Sequence, residues 1–461
     1  MEEDTSEAAW ITIQLGQEAN CVGAQFWNAR YLSQNGPNES PLFRETRDAT
    51  AVARLVSLDG EPLKKDRDTA QQYSESFPWL GPLQKIRRSS GWSKNSNTFP
   101  SCICNFDSHS LIKPPSAVQT LQQFSQGVDC YKEKLGEEFL ERIRRELEFC
   151  DRLGGFQWVV DSFLGLGGFA SELAYGMKDE FQCKVPLVLF GCGSYSRNSP
   201  SALNEAKLLV SLVDNNIHYI PLHSWKVFSC NRTQDIWLDW ALERCPVHDR
   251  NCTLSAVAMD CFYSLFIARS AAFLRNHMSW ISMLPIVSSK KQWNWKTLIS
   301  QGFRERRSPP LYTIDWISQQ QQQQLYNKMN YTDATAMWII RCANDDISKT
   351  YQDVSSSLRQ VLLQDTQIDE ELHIRVEPGG FRRVVVDNSN RTLEEADSCP
   401  VLFREAPPLE YIGEWICNSV WTSQYYDKAI VALKKSKKYF HSVDIDDEIE
   451  HMIYAKENLQ Q

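Results

Sequence analysis

The stretch Phe156-Gln157-Trp158-Val159-Val160-Asp161 (FQWVVD), followed by Gly165-Leu166-Gly167-Gly168 and a helical pattern from Phe169 to Phe181, decides the fold. A short apolar run bounded by a glycine-rich turn reads as a strand buried on both faces. The same unit recurs downstream. Val185 to Phe190 (VPLVLF) is a strand, Ala202 to Asp214 an amphipathic helix, and Ile217 to Leu222 a further strand. Strands alternating with helices predict an α/β protein with a mostly parallel sheet flanked by helices.

Working outward, Gly136 to Cys150 places Phe139, Ile143, Leu147 and Cys150 at helical spacing. Glu138 and Arg142, like Glu141 and Arg145, stand four apart with the acid first, the favourable order on an exposed helix face. At the start of the chain, Trp10 to Leu15 (WITIQL) is a strand ending at Gly16, and a helix follows over Val22 to Leu32. Val52 to Leu58 is a strand that stops at the turn dipeptide Asp59-Gly60. Residues 60–116 are polar and rich in Ser, Lys and Pro, as in a long loop or insertion.

Leu254 to Leu274 is apolar nearly all round, as in a central helix, and Asp260 and Arg269 interrupt it too often for a membrane span. Residues 287–310 are basic and polar, and six glutamines fill Gln319 to Gln324. Leu372 to Val376 and Phe381 to Val386 flank Glu377-Pro378-Gly379-Gly380 as a hairpin, and a helix begins near Tyr426. The chain therefore divides into residues 1–116 with a polar insertion, 117–286 with the glycine-rich turn and central helix, a polar linker at 287–330, and a smaller C-terminal α+β domain at 331–461.

Composition narrows the function classes. The 461 residues carry 58 acidic and 49 basic side chains, a net charge of -9, the opposite of what phosphate neutralisation on nucleic acid requires. Met1 to Ala9 is acidic and lacks the basic-then-apolar order of a secretory signal or the Arg-rich order of a matrix presequence. The 14 cysteines show no compact framework and read as reduced core thiols in a cytosolic protein. Cys245, His248 and Cys252, with Cys230 upstream, have ligand-like spacing but lack the second tight pair of a zinc site, so no metal is expected. Lys434, Lys435, Lys437 and Lys438 offer at most peripheral contact with a membrane; a solvated face beside the acidic Asp444 to Glu450 is the preferred reading.

Three segments carry candidate chemistry. Gly16, Gln17 and Asn20 lie where a strand end meets a helix N-terminus, which suits a phosphate. Gly165, Gly167 and Gly168 let backbone amides turn inward without Cβ obstruction, and equally allow a helix to pack closely on a strand. Asn204 presents a paired donor and acceptor fit for a base edge or for a helix cap. The 165–168 turn is neither a Walker A loop nor a Rossmann fingerprint.

Together these segments resemble tubulin. Gly16 to Trp27 follows Gly-Gln-x-x-Asn-x-x-Gly-x-x-Phe-Trp; Cys150-Asp151, Leu153 and Gly155-Phe156-Gln157 precede the turn; Asn204, Leu209-Val210 and Val213-Asp214-Asn215 are similar to the guanine-contacting helix. More of the chain resembles the tubulin-related Misato family. The segments that do so are Leu42-Phe43-Arg44-Glu45, Arg54 to Gly60, Trp92-Ser93, Gln126-Gly127, Glu138 to Cys150-Asp151, and the glycines at 165, 167 and 168.

The resemblance covers residues 10 to about 222. It implies a tubulin-like fold, GTP or GDP as the ligand class, and a role in mitochondrial distribution, morphology or fusion and inheritance, including partitioning of mitochondrial DNA. It also implies a place in the cytoplasm and on the cytosolic face of the mitochondrial outer membrane, with protein partners that include tubulin or the cytosolic chaperonin.

Departures bear on catalysis. Phe169 and Ala170 follow the glycines where tubulin's Gly-Gly-Gly-Thr-Gly presents a hydroxyl, and Ser57 stands in place of an Asp, with Asp59 close by. The second half shows no Asn-x-Asp-x-x-Glu to orient water, so the expectation is a non-enzymatic or weakly active protein. An active self-assembling GTPase and a spindle factor associated with tubulin or chaperonin are the alternatives.

Overall fold

The computed structural model describes residues 8–33, 41–46, 51–58, 111–112, 121–181, 185–193, 199–215, 217–223, 225–227, 252, 255–256, 258–259, 263, 283–289, 312–314, 335–341, 373–375, 381–387, 411–417, 419–437 and 444–458. Its first unit is a six-stranded sheet, all parallel, with the strand order β5-β4-β1-β6-β7-β8. The strands are β1 (Ala9–Leu15), β4 (Leu55–Leu58), β5 (Leu111–Ile112), β6 (Leu153–Asp161), β7 (Leu187–Gly193) and β8 (His218–His223). Consecutive residues such as Trp10 and Ile11, Trp158 to Val160 and Val188 to Phe190 are buried, so both faces of the sheet are covered. The polar Thr12 and Gln157 within β1 and β6 are buried with a hydrogen bond between them at 2.7 Å.

The helices are α1 (Gln17–Ser33), α2 (Phe124–Cys130), α3 (Gly136–Glu148), α4 (Leu166–Phe181) and α5 (Ser199–Asp214), with a π-turn at Tyr131–Leu135 joining α2 to α3. Lys134 in that turn has φ 87°, a left-handed backbone that bends the two helices apart. On α3, Phe139 and Ile143 are buried and the Glu138–Arg142 pair forms at 3.1 Å, as the spacing predicts. Glu141 and Arg145 meet at 3.4 Å. Both α4 and α5 begin three residues earlier than their apolar periodicity suggests. Gly167 and Gly168 are thereby inside the first turn of α4, and Asn204 is one turn into α5.

The strand expected over Val52 to Leu58 is broken at Arg54 into β3 (Ala51–Ala53), paired antiparallel with β2 (Phe43–Glu45), and β4. The break has a structural use. Arg54 donates from Nε to the Phe43 carbonyl at 3.2 Å and from Nη1 to the Phe149 carbonyl at 3.0 Å, at the C-terminal end of α3. A cation there satisfies a helix-end carbonyl and complements the helix dipole. Arg44 adds a second brace, its guanidinium 4.2 Å over the Phe149 ring and its Nε 3.5 Å from the buried Glu146 carboxylate. The Arg44, Arg54 and Glu138-to-Cys150 motifs are thus one brace between the β2–β3 hairpin and α3.

A second sheet of seven strands runs β13-β14-β12-β15-β10-β11-β9. These are β9 (Trp225–Val227), β10 (Met283–Ser289), β11 (Tyr312–Ile314), β12 (Thr335–Arg341), β13 (His373–Arg375), β14 (Phe381–Asp387) and β15 (Tyr411–Cys417). It is mixed: β12 and β14 are parallel and the other pairs antiparallel. The β13–β14 hairpin is the one read around Pro378-Gly379. Strand β11 arises within the stretch read as linker and joins the sheet edge with β9. Of the expected central helix, Ser255, Ala256, Ala258, Met259 and Tyr263 are described and buried, and the rest lies outside the described residues, as do the Gln run and Asp59.

Two helices end the described chain, α6 (Ser419–Lys437) and α7 (Asp444–Asn458). Tyr426, Ala429, Ile430 and Leu433 on α6, with Ile445, Ile449, Met452 and Ala455 on α7, fall at helical spacing and join the core cluster of the first sheet. Lys207–Glu448 at 3.0 Å and His451–Asp214 at 2.8 Å fasten α7 to α5. Lys437 of the basic run meets Asp446 of the acidic stretch at 2.6 Å across this helical hairpin. No helix among the described residues is long and apolar enough to cross a membrane.

Truncating Leu433, fully buried, to Ala should cost about 2–5 kcal/mol in denaturant unfolding of the N-terminal core. Val431→Ala, on the exposed side of the same helix, should stay within about 0.5 kcal/mol. Equal effects would mean that α6 is not part of that core.

Candidate functional site

The site follows from the order in which the strands are wound. From β1 the chain passes through α1 toward β4, while β6 leads through α4 and α5 to β7 and β8 on the other side. The two directions diverge between β1 and β6, and their carboxyl ends open the crevice where ligands collect in such sheets. Leu15 pairs with Val160, so Gly16 and Asp161 face each other at its floor.

Gly16 has φ +110°, and a Cβ there would lie 2.3 Å from Asp161 Oδ2. Only glycine fits both the backbone and the space. It turns the chain into α1 so that the free N–H groups of the first turn point at the carboxyl of Asp161. Ala19 donates to Oδ1 at 2.7 Å and Glu18 to Oδ2 at 3.2 Å, with the Gln17 N–H directed at the same group. A side chain from 142 residues away therefore caps α1.

Burial, and after it the Glu18 carboxylate, pushes Asp161 up to about 8 against the pull of the backbone N–H groups. Cys192 at the end of β7 is fully buried beside it, its thiol raised by burial and then by the charges of Asp161 and Glu18. Cys252 Sγ lies 3.9 Å from Glu18 Oε1.

The other expected site residues are placed as follows. Asn20 is buried and its Oδ1 accepts from Ser57 Oγ at 2.9 Å, tying α1 to β4. Gln17 opens α1 and is half-buried. Gly165 donates to the Leu121 carbonyl at 2.7 Å, and a Cβ on Gly168 would sit 2.0 Å from the Phe124 carbonyl. From the other side, a Cβ on Gly127 of α2 would lie 1.7 Å from the Gly165 carbonyl. The Gly165 and Gly168 positions thus let the 121–124 segment and α2 lie directly against the start of α4, whereas Gly167 has ordinary clearance of 3.5 Å.

Asn204 bonds through both ends of its amide. Oδ1 accepts from Phe124 N at 3.0 Å, while Nδ2 donates to the carbonyls of Gln122 at 2.8 Å and Phe163 at 3.0 Å. It fastens α5 to the 121–124 segment and to the turn before α4.

Gly16 and Gln17 thus lie at the crevice against Asp161, while Asn20 on α1 is turned to Ser57 of β4. Gly165, Gly168 and Asn204 gather around the 121–124 segment. Sequence reasoning missed Glu18, Asp161 and Cys192 as site residues, and noted Cys252 only for its spacing with Cys245 and His248. Asp161 carried a usable signal, an acid closing an otherwise apolar strand.

Two tests follow. Gly168→Ala should cost about 1–3 kcal/mol from overpacking, while Gly167→Ala, in a helical turn with room, should be neutral or stabilising by about 0.5 kcal/mol. Asp161 begins near 3.8 when unfolded and is held near 8 when folded, so the folded state keeps a proton that the unfolded chain releases. That contribution is complete below the unfolded value and is lost as pH rises through the folded one. Melting curves between about pH 5 and pH 9 should therefore show wild type losing ground to Asp161→Asn as pH rises, with the gap levelling above the folded value. A gap independent of pH would mean that Asp161 is ionised throughout.

No protein-family model matches the chain. It is similar to Protein misato of Drosophila melanogaster, 24% identical over 244 residues that cover 37% of this chain and 42% of that protein. Protein dml1 of Aspergillus oryzae is 25% identical over 264 residues, 46% of this chain and 53% of the relative. Protein dml1 of Schizosaccharomyces pombe is 32% identical over 106 residues, 21% and 22% of the two chains. The matched region spans about half the length of these relatives or less. The α/β architecture and the parallel sheet are consistent with a tubulin-like fold, and the chain is similar to proteins named misato and dml1.

Proposed function

We propose that this chain is a Misato-type, tubulin-like scaffold that acts in mitochondrial distribution and morphology, and in fusion and inheritance of the organelle with its DNA. It works through protein partners at the cytosolic face of the outer membrane and not through nucleotide turnover. The observation that carries this reading is the state of the crevice at the sheet's switch point. The N–H groups of α1's first turn serve Asp161, and the amide of Asn204 serves the backbone. The groups that the tubulin resemblance assigns to GTP or GDP thus stabilise the fold itself. The similarity to misato and dml1 supports the family side of the reading.

The absence of a water-orienting acid motif in the second half argues against phosphoryl transfer. Conserving the scaffold while dispensing with turnover suits a protein whose product is an interaction. Tubulin and the cytosolic chaperonin are the partner classes that a tubulin-like surface would engage.

Depleting the protein should collapse or unevenly partition the mitochondrial network, and re-expressing wild type should restore it. Purified protein should turn over GTP no faster than a buffer control. An undisturbed network alongside a spindle defect, or turnover at rates of a dedicated GTPase, would overturn the reading.

A further inference from the structure

We propose that Glu18 and Asp161 are built-in occupants of the switch-point crevice, holding the first turn of α1 so that the phosphates of a nucleotide are kept out. The Asp161 carboxyl lies on the N–H groups of Ala19 and Glu18 at 2.7 and 3.2 Å, the position in which a helix N-terminus holds an anion. It also lies so close to the end of β1 that Gly16 has no room for a Cβ, which leaves no gap between the two strand ends for a phosphoryl group. Among the described residues the side-chain charge acting on Asp161 is that of Glu18, of the same sign, with the Cys192 thiol buried beside Asp161 and the Cys252 thiol 3.9 Å from Glu18. A phosphate entering here would meet the Glu18 carboxylate and a buried carboxyl already bonded to the helix amides, where binding needs cations or free donors.

The second half of a phosphate cradle is engaged as well. At the start of α4, Gly165 N–H bonds to the Leu121 carbonyl at 2.7 Å, Gly167 N–H to Leu164 at 3.2 Å and Gly168 N–H to Gly165 at 2.8 Å. Two separate sets of backbone donors, at α1 and at α4, therefore have intramolecular acceptors. Exclusion is thereby a property of the folded chain and needs no partner. The inference rests on the scaffold reading above. Its failure would appear as nucleotide binding in vitro, whereas failure of that reading would appear as undisturbed mitochondria in depleted cells.

The test is calorimetric titration of the full chain with GDP and with inorganic pyrophosphate, in magnesium, comparing wild type with the double variant Glu18→Gln, Asp161→Ala. Wild type should bind neither at millimolar concentration. The variant should bind both, at least about tenfold tighter than wild type, with pyrophosphate competing against GDP. Wild-type binding in the micromolar range, a folded variant that binds no tighter than wild type, or GDP binding that pyrophosphate does not displace would each overturn the proposal. Should the alanine variant not fold, Glu18→Gln with Asp161→Ser keeps a cap on α1 and is read in the same way. Amide exchange on wild type needs no variant: protection at Glu18 and Ala19 should not change when pyrophosphate is added, and slower exchange would overturn the proposal.

Discussion

A carboxyl group buried at the end of β6 and bonded to the first turn of α1 joins the two halves of the sheet. Burying such a group is unfavourable by several kcal/mol unless its oxygens are satisfied, and here the helix supplies the donors while the carboxyl satisfies the helix. Each component exists because of the other. Gly16 must lack a side chain for Asp161 to fit, and α1 must start where it does for its N–H groups to reach. The divergence of the strands between β1 and β6 brings both to one place. Asn20 extends the link to β4 through Ser57.

A second constraint organises the opposite wall. The 121–124 segment and α2 approach α4 at distances that leave no room for a Cβ at Gly127, Gly165 or Gly168. Asn204 on α5 then bonds three backbone groups of the same junction. A single amide thereby ties together a helix, a strand-to-helix turn and an incoming segment. Such fully satisfied buried polar contacts fix one arrangement in preference to others, because any displacement leaves several groups without partners.

Much of the first sheet was legible because both-face burial makes its strands mostly apolar, and because helices such as α3 carry their own periodicity. Trp158, Val160 and Leu189 needed no context to be read as core. Helix starts were less legible. The first turns of α4 and α5 contain Gly167, Gly168, Ser199 and Pro200, whose helical state comes from packing and capping and not from apolar spacing. The split at Arg54 was invisible for a similar reason: its partners, Phe43 and Phe149, lie far away in sequence. The place of α6 and α7 against α5 also depends on contacts that no local pattern announces.

The site shows the same division more sharply. Glycines, an asparagine and a strand-to-helix junction mark where backbone groups come close to something, and that much is local. What they come close to is decided by topology. For Gly16 it is Asp161, and for Gly165 it is the Leu121 carbonyl. A motif inherited from a nucleotide-binding scaffold and a motif retained for packing look identical in one dimension, because both demand close approach without a Cβ. They differ in the acceptor that meets the free N–H groups. In this chain the acceptors are its own carboxyl and carbonyl groups, so the residues that carry the family resemblance are also the residues that hold the sheet together. Their demands on stability alone are enough to keep them in place.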